Sequence, residues 1–399
     1  MNFLFVTRCM AVMNKTQVGG GVRSTLLIEA LSRLGHVDVI SFVKEPIEST
    51  IQNCDVIYCG ETPKRERTLG DRIRLNLRLF FTPWHPEAYF VVNKEQAKIV
   101  SRYYNAKHYD FVACHFLYDA IQCGLDKYAN KLIVDVDDNM VSLEKRFLSN
   151  HPRRPLISWA KAYWKTLTIG MMQRRLLQRV RLSFYSNPDD PPYEKSVFLQ
   201  NIPILSSPCR EVTDITPMRL LFVGNIDYLP NKKGILHFVE SIFPIIKERI
   251  PFVELDVVGL CEDRDTRSKL CSVNGVNVRG FVDCLEEEYE NCRAVIVPLY
   301  QGTGTSIKFI EAVMMNRPIV STPTGARGFD SLFKAGQHYW LAENDHVFAD
   351  QVVAVLLSID KANIMAHDAY EIGITHFSRK SFMDVVKAAV ESLPDNQSL

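Results

Sequence analysis

Two hydrophobic rhythms alternate along this chain. Short apolar runs bounded by polar or turn residues read as strands buried on both faces. Longer stretches with apolar residues every three or four positions read as helices. "NFLFVT" opens the series, a loop ending in "VGGGVRS" follows, and "STLLIEALSRLG" carries helical spacing up to Gly35. "VDVISFV", "CDVIYCG", "YDFVACHF" and "KLIVDVDD" are further strand runs. The segment "PILSSPCREVTDITP", rich in Pro, Ser and Thr, marks a boundary. Beyond it "MRLLFVGN" restarts the pattern, with "KGILHFVESIFPIIKERI" as a helix. "VELDVVGL", "VNVRGFV", "RAVIVPL" and "RPIVSTP" are its later strands. The pattern predicts an α/β chain with two parallel sheets, over 1–205 and 206–377. A closing amphipathic helix over 378–399, "SRKSFMDVVKAAVESL", takes Ser378 as its N-cap.

Composition adds little except in its distribution. The 399 residues suffice for two domains, and 47% apolar with 23% charged residues is ordinary for a globular chain. The net charge of +1 hides an asymmetry. Residues 1–205 hold 28 Lys and Arg against 20 Asp and Glu, a balance of +8, and the remainder holds 19 against 26, a balance of −7. The ten cysteines show no paired CxxC spacing, which argues against zinc and for a reduced, cytoplasmic setting. "MNFLFVTRCM" lacks the pattern of a signal peptide, and no apolar run is long enough to span a bilayer.

Residues 141–182 depart from the α/β rhythm. They carry ten basic residues and one acid, Glu144, with Trp159, Tyr163, Trp164, Met171 and Met172 among them. Such a segment is either a surface helix with a solvated basic face or a patch that meets an anionic membrane. Nucleic acid is not expected, because no recognition motif accompanies the charge.

The densest chemistry lies in "GTGTSIKFIEA", Gly302–Ala312. Small residues ahead of a helix let backbone approach a ligand, and the helix N-terminus presents free N–H groups and a positive dipole end to an anion. Gly304 and Thr305 would lie at that approach, and Thr305 and Ser306 can cap the helix. Lys308 adds positive charge in the first turn. Glu311, three residues on, shares its face and would repel phosphate but accept from a hydroxyl pair. Phosphate on Lys308 and ribose on Glu311 point to a nucleoside diphosphate; the alternative is an ordinary helix start with a surface Lys–Glu pair. A second cluster, Asp135, Asp137 and Asp138, closes the run "KLIVDVDDN". Its aspartates could stabilise an oxocarbenium-like centre, act as a general base, bind Mg²⁺, or simply be solvated. His115 ends "FVACH" as another candidate near an acceptor.

Five segments occur in order: "FVGNIDYLPNKKGILHFVE", "VELDVVG", "VNVRGFVD", "AVIVPLYQGTGTSIKFIEAVMMNRPIVSTPTGARGF" and "HFSRKSF". Together they resemble the C-terminal half of the family-4 (group 1) glycosyltransferases, retaining enzymes of the GT-B fold. The N-terminal half resembles the family less, through the Gly-rich loop Gly19, Gly20 and Gly21, "FVACHF" and "LQNIP" with Asn201. The resemblance implies two Rossmann-like domains facing across a cleft, with the last helix returning to the first domain. It implies Gly224 and Asn225 in the first phosphate loop, Lys233 and Lys308 as phosphate contacts, Glu311 on the donor ribose, and the backbone of Phe281 and Val282 around the base.

Two positions depart from the family. Thr303 stands where a sugar-contacting glutamate is usual, and Asp137 where a histidine near the reacting centre is usual. The catalytic candidates are therefore Asp137, Asp138 and His115. The expected activity is transfer of a sugar from a nucleotide-diphosphate donor to a glycan or lipid-linked glycan, retaining and without Mg²⁺ or any other cofactor. It would proceed at the cytoplasmic face of a membrane met through 141–182, in polysaccharide assembly. The rivals are a nucleotide-sugar epimerase of the same fold, which has no use for the basic-aromatic segment, and a degenerate scaffolding subunit, against which Lys233, Lys308 and Glu311 count.

Overall fold

The computed structural model describes residues 1–399 except 9–18, 44–48, 62–67, 138, 143, 146–155, 188–192, 204–206, 303–304 and 395–399, and gives only the backbone at 19, 20 and 156. The chain forms two compact units, one of residues 1–201 with 379–399 and one of residues 202–378. The sequence reading divides it at 205 and 377.

The first unit holds a seven-stranded parallel sheet in the order β3-β2-β1-β4-β5-β6-β7. Its strands are β1 (Asn2–Thr7), β2 (His36–Ser41), β3 (Cys54–Cys59), β4 (Phe111–His115), β5 (Leu132–Asp135), β6 (Leu182–Tyr185) and β7 (Ser196–Phe198). Phe3 pairs with Val37 on one side and with Phe111 on the other, and the Phe3 and Phe111 rings stack at 5.6 Å. Strand order reverses about β1, so the ends of β1 and β4 flank the switch point, where doubly wound sheets place chemistry. The helices are α1 (Gly19–Ser32), α2 (Leu69–Phe81), α3 (Lys94–Ala106), α4 (Leu117–Gln122) and α5 (Leu156–Arg179). A capping box between Thr68 and Asp71 starts α2.

The second unit repeats the plan with a six-stranded parallel sheet, order β10-β9-β8-β11-β12-β13. Its strands are β8 (Arg219–Val223), β9 (Glu254–Val258), β10 (Val276–Gly280), β11 (Ala294–Val297), β12 (Ile319–Ser321) and β13 (Trp340–Leu341). Its helices are α6 (Leu229–His237), α7 (Phe243–Arg249), α8 (Arg264–Cys271), α9 (Leu285–Glu290), α10 (Ile307–Met314), α11 (Pro323–Ala326), α12 (Asp345–Leu357) and α13 (Ile359–Phe377). Phe222, Phe238, Phe243 and Phe348 are fully buried in its core, each burial worth about 1.5–3 kcal/mol. The last helix, α14 (Arg379–Glu391), belongs to the first unit. It packs on α1, with Arg379 paired to Glu29 and the Arg23 guanidinium 5.9 Å from the Phe382 ring centre.

Several local expectations change. Gly19, Gly20 and Gly21 are not a loop but the first turn of α1, since the apolar face that α1 buries outweighs the low helix propensity of glycine. The run "KGILHFVESIFPIIKERI" is two helices joined by a π-helical turn, Phe238–Ile242. Pro244, which has no N–H to donate, lies at the start of the second. The helix also begins earlier, at Leu229, so Lys233 lies inside it and not at its start. Met172, grouped by sequence with the surface aromatics, is core. Among the described residues no helix is long and apolar enough to cross a membrane.

Candidate active site

In the second unit, the end of β8, helix α6 and the start of α10 meet at Lys308, and Glu311 lies one turn further along α10. Gly224 follows β8 with φ +151°, and a Cβ there would lie 2.8 Å from Asn231 Nδ2 and 3.3 Å from Lys308 Cε. A side chain at 224 would thus push Asn231 aside and crowd the lysine. Asn231 bridges the two elements: its Nδ2 donates to the Asn225 carbonyl at 2.8 Å and its Oδ1 accepts from Lys308 Nζ at 2.8 Å. Lys308 is only 6% exposed, with its ammonium 5.4 Å from the centre of the Phe222 ring. Burial pushes its pKa down from 10.5 to about 8, with Glu311 offsetting part of the effect. A buried ammonium whose acceptor is a neutral amide is incompletely compensated, so an arriving anion gains from the full charge.

Glu311 sits three residues along the same helix face. Burial raises its pKa, while Lys308 and the Tyr289 hydroxyl act to lower it. That hydroxyl, on a fully buried side chain, donates to Glu311 Oε2 at 3.2 Å. Ser306 occupies the N-cap position of α10, yet its side chain makes no capping hydrogen bond, contrary to the sequence reading. Its Oγ is buried without a hydrogen-bond partner among the described residues. Thr305 is half-buried beside it, while Thr303 and Gly304 lie outside the described residues.

Lys233 is exposed on α6. Its neighbour Gly234 is required by packing, because a Cβ there would lie 2.2 Å from the Pro298 carbonyl oxygen. Phe281 is exposed and Val282 half-buried just past β10, after Gly280 at φ +73°. The structure thus groups Gly224, Asn225, Lys308 and Glu311, and adds Asn231 and Tyr289. Sequence reasoning missed both: Asn231 stood inside an expected loop, and Tyr289 in an acidic helix.

In the first unit the aspartate run ends β5 in a buried ionic network. Asp135 is 1% exposed and binds Arg23 in bidentate fashion, Oδ2 to Nε at 2.6 Å and Oδ1 to Nη2 at 2.8 Å. Arg23 Nη1 also donates to Asn201 Oδ1 at 2.8 Å, and Nη2 to the Leu199 carbonyl at 2.9 Å. Asp135 is therefore neither solvated nor free for a metal. Asp137 lies just beyond, in the left-handed region at φ +49°, with a fifth of its side chain exposed. Its Oδ1 accepts from Asn201 Nδ2 at 3.4 Å, and its Oδ2 lies 3.6 Å from His115 Nε2. Burial favours the neutral acid, but His115 and the Arg23 charge outweigh it and hold the Asp137 pKa well below the usual carboxylate range.

His115 is 1% exposed. Its Nδ1 is 2.9 Å from Ser24 Oγ and its Nε2 3.5 Å from Asp135 Oδ2. Expected near the acceptor, it instead lies wholly inside, where it acts on Asp137 and not on solvent. Asp138 lies outside the described residues. Arg23 escaped the sequence reading, its only signal being an arginine within an otherwise apolar helix start.

Residues 217–358 match the family model described as "Glycosyl transferases group 1". An "Uncharacterized 44.6 kDa protein in cps region" of Klebsiella pneumoniae is 22% identical over 382 residues, covering 92% of this chain and 95% of its own. Among solved structures, a sucrose-phosphate synthase from Thermosynechococcus elongatus is similar at TM-score 0.69 and 14% identity, over 98% of both chains. HepE from Anabaena, solved in complex with UDP and glucose, is similar at TM-score 0.63 and 12% identity, over 98% of this chain and 99% of its own. WaaG, a glycosyltransferase involved in lipopolysaccharide biosynthesis, is similar at TM-score 0.62 and 11% identity, over 97% and 99%. Residues 217–358 are thus similar to the group 1 glycosyltransferases, and the fold is the GT-B fold of those neighbours.

Proposed function

We propose that the second unit binds a nucleoside-diphosphate sugar and that the chain transfers the sugar to a hydroxyl of a glycan or lipid-linked glycan. The observation that carries this reading is the pair Lys308 and Glu311 on one face of α10. One is a buried cation held by a neutral amide, the other a carboxylate oriented by Tyr289. Lys308, Lys233 and the N–H groups at the start of α10 stabilise the departing diphosphate. Glu311 accepts from the ribose hydroxyls, and the backbone at Phe281 and Val282 holds the base. HepE, solved with UDP and glucose, makes UDP the first nucleotide to try. Thr303 in place of a glutamate alters the contact with the donor sugar.

In the reaction the bond between the sugar's anomeric carbon and the β-phosphate oxygen breaks, its electron pair leaving with the diphosphate. The acceptor oxygen bonds that carbon and passes its proton to the departing phosphate oxygen. Asp137, kept ionised by its surroundings, supplies the negative charge that an oxocarbenium-like centre needs, and His115 holds it in place. The configuration is retained. The reaction needs no Mg²⁺, because Lys308 supplies the positive charge at the diphosphate and Arg23 occupies the carboxylate of Asp135. A place in polysaccharide assembly draws support from the Klebsiella relative of a cps region.

The test is incubation with UDP-, GDP- and dTDP-sugars while nucleoside diphosphate release is followed, with proton NMR of the product anomer. Release of one diphosphate with retained configuration, unaffected by EDTA, supports the proposal. Absence of turnover and of nucleotide binding overturns it.

A further inference from the structure

Two helices of the first unit turn apolar residues outward. Along α2, Leu69, Ile73, Leu77 and Phe80 recur at spacings of three and four and are 73%, 53%, 54% and 70% exposed, while Leu79 is the buried residue of that helix. Helices that cover a core show the reverse arrangement, with their apolar stripe inward. Along α5, Trp164, Leu167 and Met171 are exposed at the same spacing, and Trp159 and Tyr163 stack in the open with ring centres 5.4 Å apart. The two helices adjoin through Trp164 Nε1, which donates to the Leu79 carbonyl at 3.0 Å, and the Arg175 guanidinium of α5 lies 5.4 Å from the ring centre of Trp84, just past the end of α2. They therefore present one surface, larger in apolar content than scattered exposed residues explain.

Charge selects its occupant. Helix α2 contributes three basic residues and α5 five, against Asp71 as the one acid in either helix. A second copy of the chain would bring this cationic face against itself. Arg78 pairs with Glu87 and Lys165 with Glu144, and a neutral partner would offer nothing to the positive charge that remains. Tryptophan, tyrosine and phenylalanine interleaved with arginine and lysine suit the boundary of an anionic bilayer, where rings enter the acyl edge and cations meet headgroups.

We propose that α2 and α5 together form a docking face for an anionic lipid bilayer, with Ile73, Leu77, Phe80 and Trp159 entering the interface. The segment 141–182 alone suggested only half of this surface; α2 supplies the rest. The proposal does not depend on the donor site, and UDP binding measured on the same samples separates the two.

The test is flotation of the full chain with phosphatidylcholine vesicles, with and without phosphatidylglycerol. Binding at least about tenfold stronger to the anionic vesicles, weakening with salt and shifting tryptophan emission to the blue, is expected. The double variant Ile73→Glu/Leu77→Glu should reduce that binding at least about tenfold with an unchanged melting temperature, both positions being mostly exposed. If that variant misfolds, Arg72→Gln/Arg74→Gln serves, with the same loss expected on anionic vesicles only. Equal binding to both vesicle types, no binding, or flotation of the variants like the parent overturns the proposal. So does a parent dimer that Ile73→Glu/Leu77→Glu turns into monomers without changing flotation, because the face would then belong to a second copy.

Discussion

Replacing Lys308 by methionine separates binding from folding. The parent chain buries an ammonium whose pKa falls from 10.5 to about 8, which corresponds to about 3 kcal/mol of folding free energy given up at neutral pH. Methionine fills the same channel beside Phe222 without a charge. Against that gain, which already includes the attraction to Glu311, stands the lost hydrogen bond to Asn231 Oδ1, worth about 1–3 kcal/mol. The variant should therefore be as stable as the parent or more so, by up to about 2 kcal/mol, a rise of up to about 8 °C in the melting temperature of the second unit. Nucleoside diphosphate affinity should fall at least about 30-fold, the effect of removing a charge-assisted contact worth about 2 kcal/mol or more. Scanning calorimetry and titration calorimetry on the same samples read both quantities. A loss of stability with affinity unchanged would refute the reasoning and make Lys308 a part of the fold.

The linked pH effects follow in sign. Lys308 loses its proton in the folded chain as pH rises through about 8, so nucleotide affinity should fall above pH 8 by up to about tenfold per pH unit. Over the same range, up to 10.5, this lysine's contribution to stability should rise, because the unfolded chain still holds the proton; chemical denaturation at pH 7 and pH 9 checks it. Tyr289→Phe should weaken nucleotide binding several-fold by releasing Glu311, and an unchanged affinity would remove the tyrosine from the site. Asp137→Asn should lower turnover by about 100-fold or more while leaving nucleotide affinity within about twofold; near-normal turnover would place Asp137 away from the reacting centre. Arg23→Ala should destabilise the first unit by about 3–5 kcal/mol, since it leaves Asp135 buried and unpaired, and urea denaturation measures it.

The strands were legible because each is a run of apolar residues with a polar boundary, and a parallel sheet buries such runs on both faces. Lys308 and Glu311 were legible because their spacing lies within one helix. Their partners were not. Asn231 stands 77 positions from Lys308, and Arg23 stands 112 from Asp135. Such pairings are set by the order of strands in the sheet, which no local pattern carries. The glycines at 19–21 misled in another way: a glycine run reads as loop, yet the buried face of α1 recruits it. Helix α2 is the most instructive case, because an apolar stripe in sequence does not say whether it faces a core or solvent. Of the aspartate run, sequence supplied the carboxylates, while burial and Arg23 decided that Asp135 is structural and that Asp137 is the more exposed of the two described.

The most direct test is calorimetric titration of UDP, GDP, dTDP, ADP and CMP into the parent chain and into Glu311→Ala, with and without Mg²⁺. Saturable binding of one nucleoside diphosphate, indifferent to Mg²⁺ and weakened more than about tenfold in the variant at unchanged melting temperature, is the predicted result. Failure of every nucleotide to bind the folded parent, or equal affinity in parent and variant, would contradict the assignment of Lys308 and Glu311 to a nucleotide-sugar site.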